Sequence, residues 1–319
     1  MLRKRRRRDR LIFAAFLGLF AVGLAGFARS GGWAEAIAEL GRLSLAQGAA
    51  LLALSLVNYG LRGLRWHLFA ESLGAHCSLG RNFLHFFGGF AMIVTPGRLG
   101  ELVRIRWLAR DSGWPVDRLA PLALMDRASD LASVALLLAL SVTLASVAIH
   151  GALPLAFLSL AAATAAINPR LLAWAITRVY RLTGRLPRTF ASARRAARSL
   201  AALSGPRILI PALVLGLIGW AAEGYAFQLL LGWLGAGTGF GTALAIFLFS
   251  AIAGGMTGSP GGVGGAEAAM VALLALDGTP MLVAIAATAI IRVTTLWFAV
   301  GLGLITFPLA ERLPVKRDA

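Results

Sequence analysis

Apolar runs without a single charged side chain recur along this chain, at 11–27, 131–149 and 208–220. Runs of this length read as membrane-crossing helices and not as soluble core strands or helices. The pattern predicts spans over about 11–28, 47–68, 119–148, 152–168, 208–233 and 281–309. Two further apolar segments, 82–110 and 240–276, are interrupted in the middle. In the first, 83–94 is too short to cross, Pro96-Gly97 breaks it, and 99–108 is amphipathic. In the second, Phe240–Met256 and 264–276 flank Thr257-Gly258-Ser259-Pro260-Gly261-Gly262. Making the arms thin spans would need crossings of about 10–13 residues, against the roughly 20 that a bilayer demands. A broken helix at membrane depth is tolerated where its backbone is buried in protein or lines a wet cavity. The expected fold class is an all-α polytopic membrane protein with about six transmembrane helices plus two re-entrant hairpins.

The two breaks carry the same short element, Pro96-Gly97-Arg98-Leu99-Gly100 and Pro260-Gly261-Gly262-Val263-Gly264. An intramembrane arginine follows each at matched spacing, Arg127 31 residues after Pro96 and Arg292 32 residues after Pro260. Pro-Gly interruptions in corresponding positions of two halves point to a transporter-type binding site between them. The halves read as 1–150 and 151–319, each a pair of spans, a hairpin and a span. They are opposite in orientation, so hairpin 82–110 enters from the cytoplasm and hairpin 240–276 from outside.

Charge sets that orientation. Hydrophobic residues make up 58% of the chain and charged residues 14%, yet the net charge is +17. The basic residues cluster in the first ten positions, in 170–207 with nine arginines and no acid, and in the tail with Arg312, Lys316 and Arg317. The positive-inside rule places these, and both termini, in the cytoplasm. Arg62, Arg65 and Trp66 read as an interfacial anchor at the end of the second span. Within 170–207, Leu171, Leu172, Trp174, Ile176 and Val179 among arginines suggest a helix on the membrane surface, which either binds anionic lipid or only sets topology. The basic runs flank spans and surround no soluble domain, so nucleic acid is not an expected partner.

Eight charges fall inside the apolar zone: Arg98, Glu101, Asp126, Arg127, Asp130, Glu223, Glu267 and Arg292. An unpaired charge at the bilayer centre costs about 2.5–3.5 kcal/mol on the lenient insertion scale, so such groups pair or face a cavity. Arg127 with Asp126 and Asp130 reads equally as an interface cluster. Arg292 lies deeper, with Glu101, Glu223 or Glu267 as its expected partner. Helices restarting near Leu99 and Gly264 would aim free N–H groups at the same cavity. Glycines there, Gly97, Gly100, Gly261, Gly262 and Gly264, would let a phosphate approach. Gly88, Gly89, Gly254 and Gly255 read as close-packing positions.

Several chemistries find no support. Cys77 is the single cysteine, so no internal disulfide forms. His67, His76, His85 and His150 show no metal-ligand spacing, and no metal or other cofactor is expected. No Walker motif, nucleophile elbow or dinucleotide fingerprint is present.

Taken together, Thr95-Pro96-Gly97-Arg98-Leu99-Gly100-Glu101, Asp126-Arg127-Ala128-Ser129-Asp130, Pro260-Gly261-Gly262-Val263-Gly264-Gly265-Ala266-Glu267 and Arg292 resemble the transmembrane region of lysylphosphatidylglycerol synthases, a flippase-like integral membrane family. The resemblance runs from about residue 11 to 309. It departs at Asp126, where the family usually has Glu. It implies lipid translocation across the cytoplasmic membrane without ATP, of an anionic or aminoacylated phospholipid or a polyprenyl-phosphate-type lipid. The full-length synthases carry a soluble domain that makes the aminoacyl-lipid; the present sequence ends at Ala319, so the expectation is a non-enzyme. Membrane lipids are the expected partners. A separate lipid synthase or glycosyltransferase, and a homo-oligomer, stay open. An ion-coupled transporter of a small anion uses the same arginines, and an intramembrane lipid-modifying enzyme ranks last because no nucleophile–base pattern accompanies the carboxylates.

Overall fold

The computed structural model describes residues 41, 43–95, 100–145, 149–183 and 200–313. Among them all regular structure is helical. The first predicted span, Pro96, Gly97 and Arg98 of the first break, most of the basic segment after 183 and the tail from 314 lie outside the described residues.

Helix α1 (Leu45–Ser72) starts on a capping box: Ser44 Oγ accepts from the Gln47 N–H at 3.2 Å, and Gln47 Oε1 accepts from the Ser44 N–H at 2.8 Å. Next come α2 (Leu79–Gly89), running into a 3-10 turn (Phe90–Met92), and α3 (Gly100–Ser112) on the far side of the first break. Helix α4 (Val116–Leu144) follows. Helix α5 (Ala152–Ile167) ends where Asn168-Pro169 forbids continuation. Asn168 Oδ1 then caps α6 (Pro169–Thr183) by accepting from the N–H groups of Arg170 and Leu171, and α6 leaves at 74° to α5. Trp174 and Leu171 on α6 are exposed beside Arg170, Arg178 and Arg181, the amphipathic surface helix the sequence suggests.

Helix α7 (Pro206–Trp233) opens with proline in its first turn, the position where its missing N–H costs nothing. Helices α8 (Phe240–Met256) and α9 (Gly265–Leu276) flank the second break and pack against each other. Helix α10 (Met281–Arg292) passes through a π-turn (Val293–Trp297) into α11 (Phe298–Arg312), and together they run as one 32-residue apolar element.

Three helices are long and apolar enough to cross a membrane, α4, α7 and α10–α11, or four if the bent α5–α6 pair is one span. The count of six includes the span at 11–28, outside the described residues, and α1. Helix α1 has the length but not the apolar composition, because Asn58, Arg62 and Arg65 lie along it. Those side chains are buried, so the interfacial anchor read at Arg62, Arg65 and Trp66 is a core face instead. The spacing 58, 62, 65 puts them on the side of α1 that meets α7 and α4.

Small residues set how closely the helices approach. A Cβ at Gly219 of α7 would stand 2.6 Å from Asn58 Oδ1, so α7 lies directly on the polar face of α1. A Cβ at Gly100 would run into the Gly89 carbonyl oxygen, which holds the two arms of the first break together. In the second, a Cβ at Gly254 would meet Ala266 Cβ at 2.6 Å. Gly88 abuts Trp107 and Gly89 abuts Arg104, as expected of packing glycines. Gly255 differs: nothing stands near it, because it faces an open cavity.

Candidate functional site

A cavity of about 610 Å³ lies where the two halves meet. Helix α1 supplies Tyr59 and Arg62, α4 Arg127 and Asp130, α7 Trp220 and Glu223, the second break Gly261 and Gly262, and α10 with its π-turn Arg292 and Thr295. Phe247 and Ile252 of α8 and Leu155 and Leu158 of α5 form an apolar wall. Two of the lining side chains, Leu158 and Met256, are 69% and 73% exposed. The cavity is therefore open at a rim where these two apolar side chains stand.

Two arginines of the cavity, Arg127 and Arg292, are held by an acid from behind. Arg127 pairs with Glu101, which stands in the first turn of α3. Arg292 Nε donates to Glu267 Oε1 at 2.5 Å, and its Nη2 donates to the Gly261 carbonyl at 2.9 Å. Glu267 is in the first turn of α9, and its Oε2 also accepts from the Gly264 N–H at 2.6 Å. One carboxylate thus caps the restarted helix and orients the arginine. A carboxylate at a helix N-terminus also complements the helix dipole. The two pairs correspond across the halves, with Glu267 166 residues after Glu101 and Arg292 165 after Arg127.

Behind Arg62 lies a second charge group. Arg62 Nη2 donates to Asp130 Oδ2 at 2.6 Å, while Arg65 Nη2 donates to Asp130 Oδ1 at 2.6 Å and Asp126 Oδ1 at 2.7 Å. Arg104 Nη1 reaches Asp126 Oδ2 at 3.5 Å and stacks its guanidinium over Trp66 and Phe86 at 4.9 and 4.7 Å. Asp126 and Asp130 are an i, i+4 pair on α4, so both reach Arg65. In this set five arginines (62, 65, 104, 127, 292) face five acids (101, 126, 130, 223, 267). The count balances only if Glu223 is included, and Glu223 has no cation within 4.0 Å among the described residues.

Of the residues singled out from sequence, Arg127, Asp130, Glu223, Arg292, Gly261 and Gly262 line the cavity. Glu101, Glu267 and Asp126 stand behind arginines. Pro260 opens the 3-10 turn of the break, and Gly264, at φ +90°, is the residue whose N–H Glu267 takes. At Gly264 itself, therefore, the N–H donor is satisfied within the chain. The ion-pair partner of Arg127 is Glu101, while Asp126 and Asp130 pair with Arg62, Arg65 and Arg104. For Arg292 the three-way choice resolves to Glu267.

Sequence reasoning missed Arg62, Arg65 and Arg104 as buried charges, and Tyr59, whose hydroxyl donates to the Thr295 carbonyl in the π-turn. The signal was present as the helical spacing of Ser55, Asn58, Arg62 and Arg65 on one buried face.

Elsewhere, Cys77, His85 and Asp111 bring ligand-type atoms within 4.8 Å of one another, a grouping their sequence spacing does not announce. Arg81 and Arg110 reach the two Asp111 oxygens at 3.2 and 3.1 Å. Two guanidiniums on the one carboxylate disfavour a further cation there, so the grouping reads as a structural ion cluster.

A cavity holding three guanidiniums beside an apolar wall can take the anionic end of an amphipathic molecule. A guanidinium has five N–H donors, of which Glu267 and Gly261 occupy two at Arg292. A search of curated proteins finds no match to this chain. The family model for the lysylphosphatidylglycerol synthase TM region matches residues 10–303, and the chain, a multi-pass membrane protein, belongs to that family.

Proposed function

We propose that this protein moves an anionic or aminoacylated phospholipid, or a polyprenyl-phosphate-type lipid, across the cytoplasmic membrane without ATP. The head group enters the cavity at Arg62, Arg127 and Arg292, and the acyl chains stay in the bilayer outside the rim formed by Leu158 and Met256. The observation that carries this reading is that rim: Leu158 and Met256, two apolar side chains that line the cavity, are largely exposed. A cavity for a small soluble anion has no use for such an opening.

The proposed architecture is six spans and two re-entrant hairpins in an inverted repeat, 1–150 and 151–319, with both termini cytoplasmic. The corresponding Glu101–Arg127 and Glu267–Arg292 pairs support it, as does the restart of a helix after each break. Inverted repeats with a shared midplane site make alternating access geometrically natural.

The test is translocation of a fluorescent anionic phospholipid in proteoliposomes, read by leaflet-specific quenching. Wild type should move the lipid, and Arg292→Ala and Glu101→Ala, checked for native thermal unfolding, should not. Absence of movement for both a phospholipid and a polyprenyl phosphate overturns the reading in favour of a small-anion transporter.

A further inference from the structure

We propose that Glu223 is a proton-binding site in the wall of the cavity, and that its loading couples lipid movement to a proton gradient. The proposal rests on the transport reading above and deepens it. Its basis is the difference between Glu223 and every other acid of the site. Asp130 is held by Arg62 and Arg65, Glu101 by Arg127, Glu267 by Arg292, and Asp126 by Arg65 and Arg104. Glu223 lines the same cavity, is 4% exposed, and meets no cation within ion-pair distance among the described residues.

Its place along α7 is also particular. It stands 10 residues before the end of α7 at Trp233, about 15 Å at the rise of an α-helix, which is close to half the hydrocarbon thickness. The groups facing it come from every helix packed on α7. Helix α1 presents Tyr59, Arg62 and Asn58, whose amide oxygen and nitrogen are both buried without another partner; α4 presents Asp130; and α10 presents Arg292. Helix α8 presents Phe247, Ala251 and Ile252, none of them titratable. A buried carboxylate without a direct counter-ion depends on the surrounding field to stay ionised, and Asn58 can hydrogen-bond either form.

The charge balance then gives a direction. With the cavity empty, the fields of Arg62 and Arg292 offset an ionised Glu223. A phosphodiester that docks on those guanidiniums brings one negative charge and neutralises that field. One proton on Glu223 restores the balance, so one proton and one phosphodiester enter together and leave together. The step forms an O–H bond on the carboxylate at the expense of a solvent hydronium and needs no other reactant.

The first readout is independent of transport. In infrared difference spectra of the full chain in detergent, titrated with pH, wild type should show a protonated carboxylic C=O band that grows when phosphatidylglycerol is added. Glu223→Gln should lose it and Glu223→Asp should shift it. Absence of a band in wild type, or its persistence unchanged in Glu223→Gln, overturns the proton site. The Asp variant keeps the test decisive if the Gln variant fails to fold. The second readout is proteoliposome translocation under an imposed pH gradient. The gradient should accelerate wild type, and Glu223→Gln should lose that acceleration. A band with no gradient effect on moving lipid overturns the coupling. If no lipid moves under any condition, the transport reading fails, and the infrared band still decides the proton site.

Discussion

Arg65 is fully buried and holds Asp126 and Asp130 with one nitrogen, so its removal takes away the counter-charge these two buried aspartates share. Breaking a buried pair from one side costs about 3–5 kcal/mol. Arg65→Ala should therefore lower the thermal unfolding midpoint sharply. Arg106→Ala removes an ion pair with Glu311 between half-exposed side chains and, at about 0–1 kcal/mol, should barely move it. Equal shifts for the two would contradict the burial argument. At Arg292 the geometry asks for a guanidinium and not only a charge, because Nε and Nη2 serve Glu267 and Gly261 together. Arg292→Lys keeps the cation and has one ammonium for both partners. The loss of one charge-assisted hydrogen bond, about 1.5–3 kcal/mol, corresponds to a slowing of translocation by about tenfold or more. Near wild-type flux in the lysine variant would mean that the fork geometry is irrelevant.

At the scale of the helix, the breaks depend on glycine where backbone meets backbone. A methyl group at Gly100 would collide with the Gly89 carbonyl, which no rotamer can relieve, so Gly100→Ala should push α3 off α2 at a cost of about 1–3 kcal/mol. Gly232 near the end of α7 has open space around it, and Gly232→Ala should leave stability unchanged or raise it by up to about 1 kcal/mol through helix propensity. Denaturation of the purified variants, followed by tryptophan fluorescence, checks both. These glycines also mark what was legible in the sequence. Uncharged runs and Pro-Gly interruptions give α4, α7, the arms at Phe240–Met256 and Gly265–Leu276, and the last helix, because each is set by local composition. Helix α1 was legible only in part. Its arginines look like an end anchor when counted along the chain, and become core residues only because Asp126 and Asp130 arrive from α4, more than 60 residues away. The partner of Arg292 was likewise one of three until α9 and α10 were placed side by side. The Cys77–His85–Asp111 grouping had no sequence signal, since the connection before α2, the middle of α2 and the last turn of α3 create it together.

For the whole molecule, the inverted repeat predicts something no single pair does: the two hairpins face opposite sides of the membrane. The connection between α3 and α4 should be cytoplasmic, and that between α9 and α10 should be outside. Positions for a test are at hand, because Val116 at the start of α4 and Leu276 at the end of α9 are 52% and 77% exposed and neither takes part in the cavity. The chain has one cysteine, so Cys77→Ser gives a background without thiols. In intact cells, a membrane-impermeant maleimide should label Leu276→Cys at once and Val116→Cys only after permeabilisation. Labelling of both from the same side would remove the inverted repeat, and with it the opposed hairpins on which alternating access at Arg127 and Arg292 depends. Labelling from opposite sides would place the two Glu–Arg pairs at the ends of hairpins that enter from opposite faces. Each pair would then restrain the hairpin on its own side, and a substrate phosphate competing for either arginine would loosen that hairpin first. The prediction that follows is directional: Glu101→Gln should raise the labelling of Val116→Cys without changing Leu276→Cys, and Glu267→Gln should do the reverse.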